Sequence, residues 1–344
     1  MNSRERMKNT IAGKRVDRAP YSFDLTSVIA DRIASYYMIN PQDVHEFIGD
    51  DIRYLGGGYP AGYVRAPCEE GCRIDEFGVI WDTSKKQNSV GDWGEILSSP
   101  LKEPSLETYK FPDGHAAGRF DYLRKNALEA TGRYLLVAMD GIFDKGWHLR
   151  GFENLLADFA LEQDFVEELL DRVLEYNLGI ISQIPKYIDG IRFGEDWGQQ
   201  NGLLMGPIFW RQYLKPRLKT MYGAAKKRGF HVMIHSCGDI EELFPDLIEI
   251  GVDVVNPVQP EVMDVEFLKR EYGRNIVLYG GLGCQSTMPF GSPADVINEA
   301  KHRLAVLGDN GGYIFGPAGA VSTEVKTENI VALVDFVRNN YQEQ

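Results

Sequence analysis

Apolar and polar positions along the chain follow two alternating rhythms. Short β-branched or apolar runs recur at 19–24, 51–57, 134–140, 190–196, 231–237, 253–259, 276–281 and 313–317. Between most of them lie longer stretches with apolar residues at i, i+3, i+4 and i+7, the mark of an amphipathic helix. The clearest are FENLLADFALEQDFVEELLDRVLEYNLGIISQI at 152–184 and PIFWRQYLKPRLKTMYGAAKKRG at 207–229. The second opens on Pro207 and closes at Gly229, residues that helices favour at those ends. Eight strands alternating with helices predict parallel strands joined by crossovers, and eight strands close a (β/α)8 TIM barrel. A doubly wound α/β sheet competes, but no GxGxxG follows the first strand. The region 63–95 alternates like a small antiparallel excursion. The expectation is therefore one barrel domain over 1–344 with an insertion at about 63–95.

In such a barrel the chemistry sits at the C-terminal ends of the strands. Those ends carry Asp24, Asp140, Glu195 with Asp196, His235 with Cys237, Gln259 with Glu261, and Cys284. His235 and Cys237 are two apart and so share a strand face, with Met233 continuing the inward column. Imidazole and thiolate at that spacing suit zinc, which binds nitrogen and sulfur. A catalytic zinc needs a third protein ligand, and Cys284, Glu195, Asp196, Gln259 and Glu261 end neighbouring strands where one could come from. The competing reading is a histidine and a thiol buried together as packing. Glu195 and Asp196 are adjacent, so a strand sends them to opposite faces. One can enter the mouth while the other caps a loop or the next helix.

Composition narrows the function classes. The 344 residues are 44% hydrophobic and 25% charged, enough to bury a full core. A net charge of −13 argues against nucleic acid, whose phosphates need basic patches. No apolar run approaches the ~20 residues of a membrane-spanning helix. The polar start MNSRERMKNT lacks a signal-peptide core, so a cytoplasmic protein is expected. Four cysteines at 68, 72, 237 and 284 are too scattered for a disulfide framework. Cys68 and Cys72, spaced C-x3-C with no second pair, read as ordinary thiols.

Four segments carry a resemblance: SRERMKNTIAGKRVDRAPYSF, DGIRFGEDWGQQNGLLMGPIFWRQYLKPRLK, HSCGDIEELFPDLIEIGVDVVNPVQPEVMD and TENIVAL. With them the chain resembles the uroporphyrinogen decarboxylase-like superfamily over almost its whole length, most specifically from 190 to 293. The resemblance implies a (β/α)8 barrel. It is closest to the corrinoid-dependent methyltransferases, those of the methylcobamide:coenzyme M and O-demethylase types. The decarboxylase branch would imply an arginine-rich N-terminal clamp, whereas YSFDLTSVIAD at 21–31 holds no arginine. An octacarboxylate would then meet no basic residue in the cleft of an acidic chain. The methyltransferase branch implies zinc on an H-x-C pair, which falls on His235 and Cys237, and a further cysteine after the last strand. The chain departs there, because YIFGPAGAVSTEVKTENI has Gly319 or a neighbouring alanine at that place. Either Cys284 or Glu195 takes the third metal position, or the metal is absent.

The resemblance thus implies a zinc-dependent methyltransferase. It would move a methyl group between a small methylated substrate, a methoxylated aromatic being the favoured class, and a corrinoid on a partner protein. His235, Cys237, Cys284 and Glu195 are the expected metal ligands, with Glu195, Asp24 and Asp140 as catalytic groups. Asn256, Gln259 and Trp197 are expected to contact the cofactor, and Phe143, Trp147 and Trp197 to line the pocket. A homodimer is compatible with this reading. Two alternatives stay open. One is a metal-free decarboxylase using Asp24 or Asp140 to stabilise a cationic pyrrole, the other a non-catalytic corrinoid- or tetrapyrrole-binding barrel.

Overall fold

A computed structural model of the chain describes residues 1–84, 94–123 and 132–340. Seven strands form one parallel sheet: β1 (Ile52–Gly56), β5 (Tyr134–Asp140), β6 (Gly190–Gly194), β9 (His231–His235), β10 (Val254–Val258), β11 (Val277–Leu282) and β12 (Tyr313–Pro317). They hydrogen-bond in that order. Every residue of β10, β11 and β12 is buried, which is why these strands read as unbroken apolar runs. In the register, Gly194 lies opposite His235, and His235 opposite Asn256. The strand ends that carry the candidate residues therefore meet at one level.

Seven of the eight expected strands are thus present within two residues of their expected ends. The exception is 19–24, which makes only the isolated parallel bridges Tyr21 to Phe315 and Leu25 to Val321. The Ser22 amide donates to Phe315 O, and the Asp51 amide donates to Tyr21 O. Side chains explain why no regular ladder forms. The Tyr21 amide donates to Asp51 Oδ2 at 2.9 Å and the Phe23 amide to Asp50 Oδ1 at 3.2 Å, so buried carboxylates take amides a neighbouring strand would otherwise pair. Asp51 is neutralised by Arg6 at 2.6 Å and Arg18 at 2.7 Å.

The insertion is a three-stranded antiparallel sheet of β2 (Cys72–Ile74), β3 (Ile80–Asp82) and β4 (Glu95–Ser98). Its last strand runs just past the expected boundary, and 85–93 lie outside the described residues. Two further short strands, β7 (Gly198–Gln199) and β8 (Gly202–Leu203), form a hairpin beyond β6.

The helical stretch expected at 152–184 is two helices, Phe152–Leu161 and Gln163–Gln183, broken at Glu162. The one expected at 207–229 contains a wide π turn, Trp210–Leu214, before the helix Lys215–Lys227. Pro216 has no amide to give and its ring crowds the preceding turn, so the Lys215 amide reaches back one residue further, to Trp210 O. No helix among the described residues is long and apolar enough to cross a membrane.

Inside the sheet, Ile52, Tyr134, Leu136, Met233, Val254, Val277 and Ile314 pack together, and Met7 and Ile11 of the first helix, Ser3–Ile11, join them. The interior is thus filled with apolar side chains below the level of His235. Chemistry is left to the C-terminal ends of the strands.

Candidate metal centre

β6 and β9 run side by side, and just beyond their ends Asp196, His235 and Cys237 converge. One ligand atom from each lies within 4.8 Å of the others. His235 Nε2 is 3.6 Å from Cys237 Sγ and 3.8 Å from Asp196 Oδ1. Asp196 is held through both its side chain and its backbone. Asp196 Oδ1 accepts the Cys237 amide at 2.9 Å, and the Asp196 amide donates to Asp144 Oδ1 at 2.9 Å. The Asp196 side chain remains 46% exposed, so the group opens to solvent on one side. Nitrogen, sulfur and oxygen donors with an open flank match the ligand set of a catalytic zinc.

The electrostatics fit a cation as well. Burial, with the charge of Asp196, pushes the Cys237 thiol well up, so it ionises only when a positive charge arrives. Burial and the neighbouring Arg192 push His235 down, which keeps the imidazole in its neutral, ligating form.

Beyond the three donors, His235 Nδ1 is 2.8 Å from Asn256 Oδ1 and 2.6 Å from Arg192 Nη2. A guanidinium only donates, so Nδ1 can accept from Arg192 or donate to Asn256, not both. Ligation through Nε2 calls for the second arrangement, with Nδ1–H on the amide oxygen. Gln259 Oε1 accepts the Gly238 amide at 2.5 Å and holds the turn after Cys237. That turn presses on the β7–β8 hairpin. A Cβ on Gly238, whose φ is +81°, would fall 2.3 Å from the Gly198 backbone.

Several expected roles move. Glu195 is fully buried and faces away from the cluster. Its Oε1 accepts the Ile142 amide at 2.6 Å, and its Oε2 accepts the Phe143 amide at 3.0 Å and Trp197 Nε1 at 3.2 Å. It thus binds the first amides of the helix Ile142–Arg150, and its oxygens are committed there instead of to a metal. Burial pushes its pKa up to about 8. Gly141 makes room for it, since a Cβ there would lie 2.0 Å from Glu195 Oε1. Cys284 also falls outside the cluster. Its thiol points at Gly319 O, 3.7 Å away, and Gly319 has a φ of +137°, a backbone that a cysteine rarely adopts.

Trp197 and Phe143 are core residues. Trp197 packs edge-on against Trp210, and both side chains are fully buried. Trp147 is half-buried against His148 and Phe152. Asp140 bonds Lys145 Nζ at 2.7 Å, with His148 Nδ1 at 3.6 Å. Against the effect of burial, these two hold its carboxyl well below the usual range. Asp24 overhangs the mouth, half-exposed, 3.4 Å from Arg192 Nη2. Arg192 itself overturns the expectation that the cleft holds no basic residue. It shares the inward face of β6 with Gly194, and Asp196 continues that column beyond the strand end.

Comparison with known proteins gives these geometries a context. The family profile described as uroporphyrinogen decarboxylase (URO-D) matches residues 134–340. A methylated-thiol–coenzyme M methyltransferase of Methanosarcina mazei is 22% identical over 277 residues, 77% of this chain and 72% of its own. A uroporphyrinogen decarboxylase of Chlorobaculum tepidum is 21% identical over 182 residues, 52% of this chain and 50% of its own. Among solved structures, a methyltransferase from Methanosarcina mazei superposes with a TM-score of 0.72 at 17% identity, covering 99% of both chains.

Proposed function

The chain belongs to the uroporphyrinogen decarboxylase family, and from that premise we propose that it is a metal-dependent methyltransferase. In this reading it moves a methyl group between a small methylated substrate and a corrinoid carried by a partner protein. The segment 20–25 then takes the eighth place of the family's barrel. The similarity to the methylated-thiol–coenzyme M methyltransferase of Methanosarcina mazei, over 77% of this chain, supports the choice of branch. The observation that carries the reading is the convergence of Asp196, His235 and Cys237 at an open strand end. His235 Nε2, Cys237 Sγ and an Asp196 oxygen would hold zinc. A bound zinc would supply Lewis acidity to the heteroatom that gives or takes the methyl group. The chain's own part is to orient: Asp144 and the Cys237 amide fix Asp196, Asn256 fixes the imidazole, and Gln259 fixes the turn behind the thiol. Of the aromatic residues expected to line the pocket, Phe143 and Trp197 are core and only Trp147 is half-buried, so methylated thiols stand beside methoxylated aromatics as candidate donors.

One observation favours a second reading. Arg192 inside the mouth could hold an acidic substrate for decarboxylation without metal, although that chemistry gives Cys237 no task.

Elemental analysis of protein purified without chelator, joined to a corrinoid-dependent methyl-transfer assay, separates the two. We expect about one zinc per chain, as a single three-ligand site allows. Cys237→Ser and Asp196→Asn should each lose most of it together with methyl transfer, because neither replacement is an anionic ligand at neutral pH. Cys284→Ser should keep the zinc. Wild-type protein that stays metal-free after reconstitution yet decarboxylates an acid would establish the second reading instead.

A further inference from the structure

Cys68 and Cys72 belong to the antiparallel insertion and not to the metal cluster, and methyl transfer gives them no task. Both are free thiols, Cys68 exposed and Cys72 half-buried. A tight turn separates them. The Cys72 amide donates to Glu69 O at 3.1 Å, closing a turn over residues 69–72. Only its third residue, Gly71, has a positive φ, +83°, as a type II turn demands, and such a turn holds its end Cα atoms within ~7 Å. The neighbouring strand pins the turn in place. The Thr83 amide and hydroxyl both donate to Gly71 O, at 2.7 and 3.0 Å, and a Cβ on Gly71 would fall 2.9 Å from Ser84 Cβ. The chain doubles back there far enough for the two thiols to meet. Partial burial, then Cys68, Glu69 and Asp82, push the Cys72 thiol up, and a hydrogen bond between the two side chains is part of the Cys68 effect. Thiols in contact across a turn meet the first demand of a disulfide, whose Cα atoms stand ~4.4–6.8 Å apart.

We propose that Cys68 and Cys72 form a reversible dithiol–disulfide site, closed by a small-molecule disulfide and opened again by a small thiol. The exposed Cys68, as thiolate, attacks one sulfur of the oxidant RSSR. The S–S bond of the oxidant breaks, RS⁻ leaves, and Cys68–S–SR remains. Cys72 then gives its proton to water, attacks the Cys68 sulfur and expels the second RS⁻. The pair has lost two protons and two electrons, and RSSR departs as two RSH. The pinned turn favours this closure over a lasting mixed disulfide, because it keeps Cys72 beside the sulfur it must attack. Closure replaces a turn with a covalent tie between β2 and the loop that leaves the C-terminal end of β1. None of this depends on the methyltransferase reading.

The test holds the full chain in glutathione buffers from reducing to oxidising, quenches with N-ethylmaleimide, and reads each cysteine peptide by mass spectrometry. At the oxidising end the peptide spanning Cys68 and Cys72 should lack two hydrogens and carry neither maleimide nor glutathione. Dithiothreitol should restore both thiols. The equilibrium constant for closure should be ~10-fold or more larger in native protein than in the urea-unfolded chain, since folding fixes the turn. Cys72→Ser should leave Cys68 as a lasting mixed disulfide with glutathione. Gly71→Ala, which strains the turn, should bring the constant toward the unfolded value, and Cys72→Ser carries the test if that variant misfolds. A wild-type chain whose Cys68 stops at the glutathione adduct, whose two thiols take maleimide throughout, or that closes no more readily folded than unfolded, overturns the proposal.

Discussion

Glu195 and Asp196 differ by one methylene and lie one residue apart, yet their surroundings give them unrelated tasks. Glu195 faces the helices with Ile191 and Phe193 and accepts three N–H groups in a dry site. Asp196 follows Arg192 and Gly194 inward and meets His235 and Cys237. Above pH ~8, where the carboxylate is ionised, Glu195→Gln should therefore lower unfolding free energy by about 1–3 kcal/mol, since one acceptor oxygen becomes a donor facing a donor, and by less at lower pH. Chemical denaturation measures the loss, and zinc content should stay at the wild-type level. Loss of zinc from a folded Glu195→Gln protein would put the carboxylate back among the ligands. The parity that separates the two was present in GIRFGEDW, where every odd position from Ile191 to Trp197 is large and buried. What the sequence could not supply is the orientation of Gly319 and Cys284, which depends on backbone geometry around two loops distant in the chain.

Single elements are held by polar clamps as much as by their apolar faces. Asp246, in the helix Phe244–Glu249, accepts from Lys215 Nζ at 2.6 Å and Arg211 Nε at 3.0 Å, joining it to the π turn and the helix that follows. Burial pushes the Asp246 pKa up, but the hydrogen bonds from Lys215 and Arg211 outweigh it and the net shift is downward. A carboxyl lowered by folding stabilises the protein fully above its unfolded pKa of ~3.9, and that share disappears as pH falls through the folded value. Asp246→Asn should cost about 1–2 kcal/mol at neutral pH, discounted because Arg211 is half-exposed. It should also make the decline of stability below pH ~4 shallower than in wild type, as thermal melts across an acid series would register. An unchanged acid limb would mean that the clamp contributes nothing. Periodicity marked the outer bounds 152–184 and 207–229 but neither the break at Glu162 nor the π turn ahead of Pro216. Nothing local announced that 19–24 would lack a ladder, because the groups that replace it, Asp50 and Asp51, sit some thirty residues away.

Across the whole molecule, stability is distributed unevenly around the sheet. β5 and β6 share a five-residue register, whereas 20–25 touches β12 through one isolated bridge, Tyr21 to Phe315, and the segment after it through another, Leu25 to Val321. Amides of Ser22 and Phe315 should therefore exchange with deuterium well before those of Ile191 and Phe193 under native conditions. Mass spectrometry of the exchanged peptides would show the order, and the reverse order would mean that the side-chain carboxylates brace the seam as firmly as a ladder does. The alternation that pointed to a barrel was legible because strands such as β10, β11 and β12 are buried on both faces and read as short unbroken apolar runs between helices. The part played by Met7 and Ile11 was not, since a helix filling the floor looks from its residues like any polar amino-terminal stretch.

The same seam has a consequence for how the chain is made. Tyr21 meets Phe315, nearly three hundred residues later, so one partner leaves the ribosome long before the other exists. At ~5–20 residues per second the wait is roughly 15–60 s. Throughout it Tyr21 and Phe23, both buried at the end, have no strand to cover them on that side. Asp50, Asp51, Arg6 and Arg18 are already synthesised by then and can gather around this stretch, placing charge where a passing strand of another nascent chain would otherwise pair.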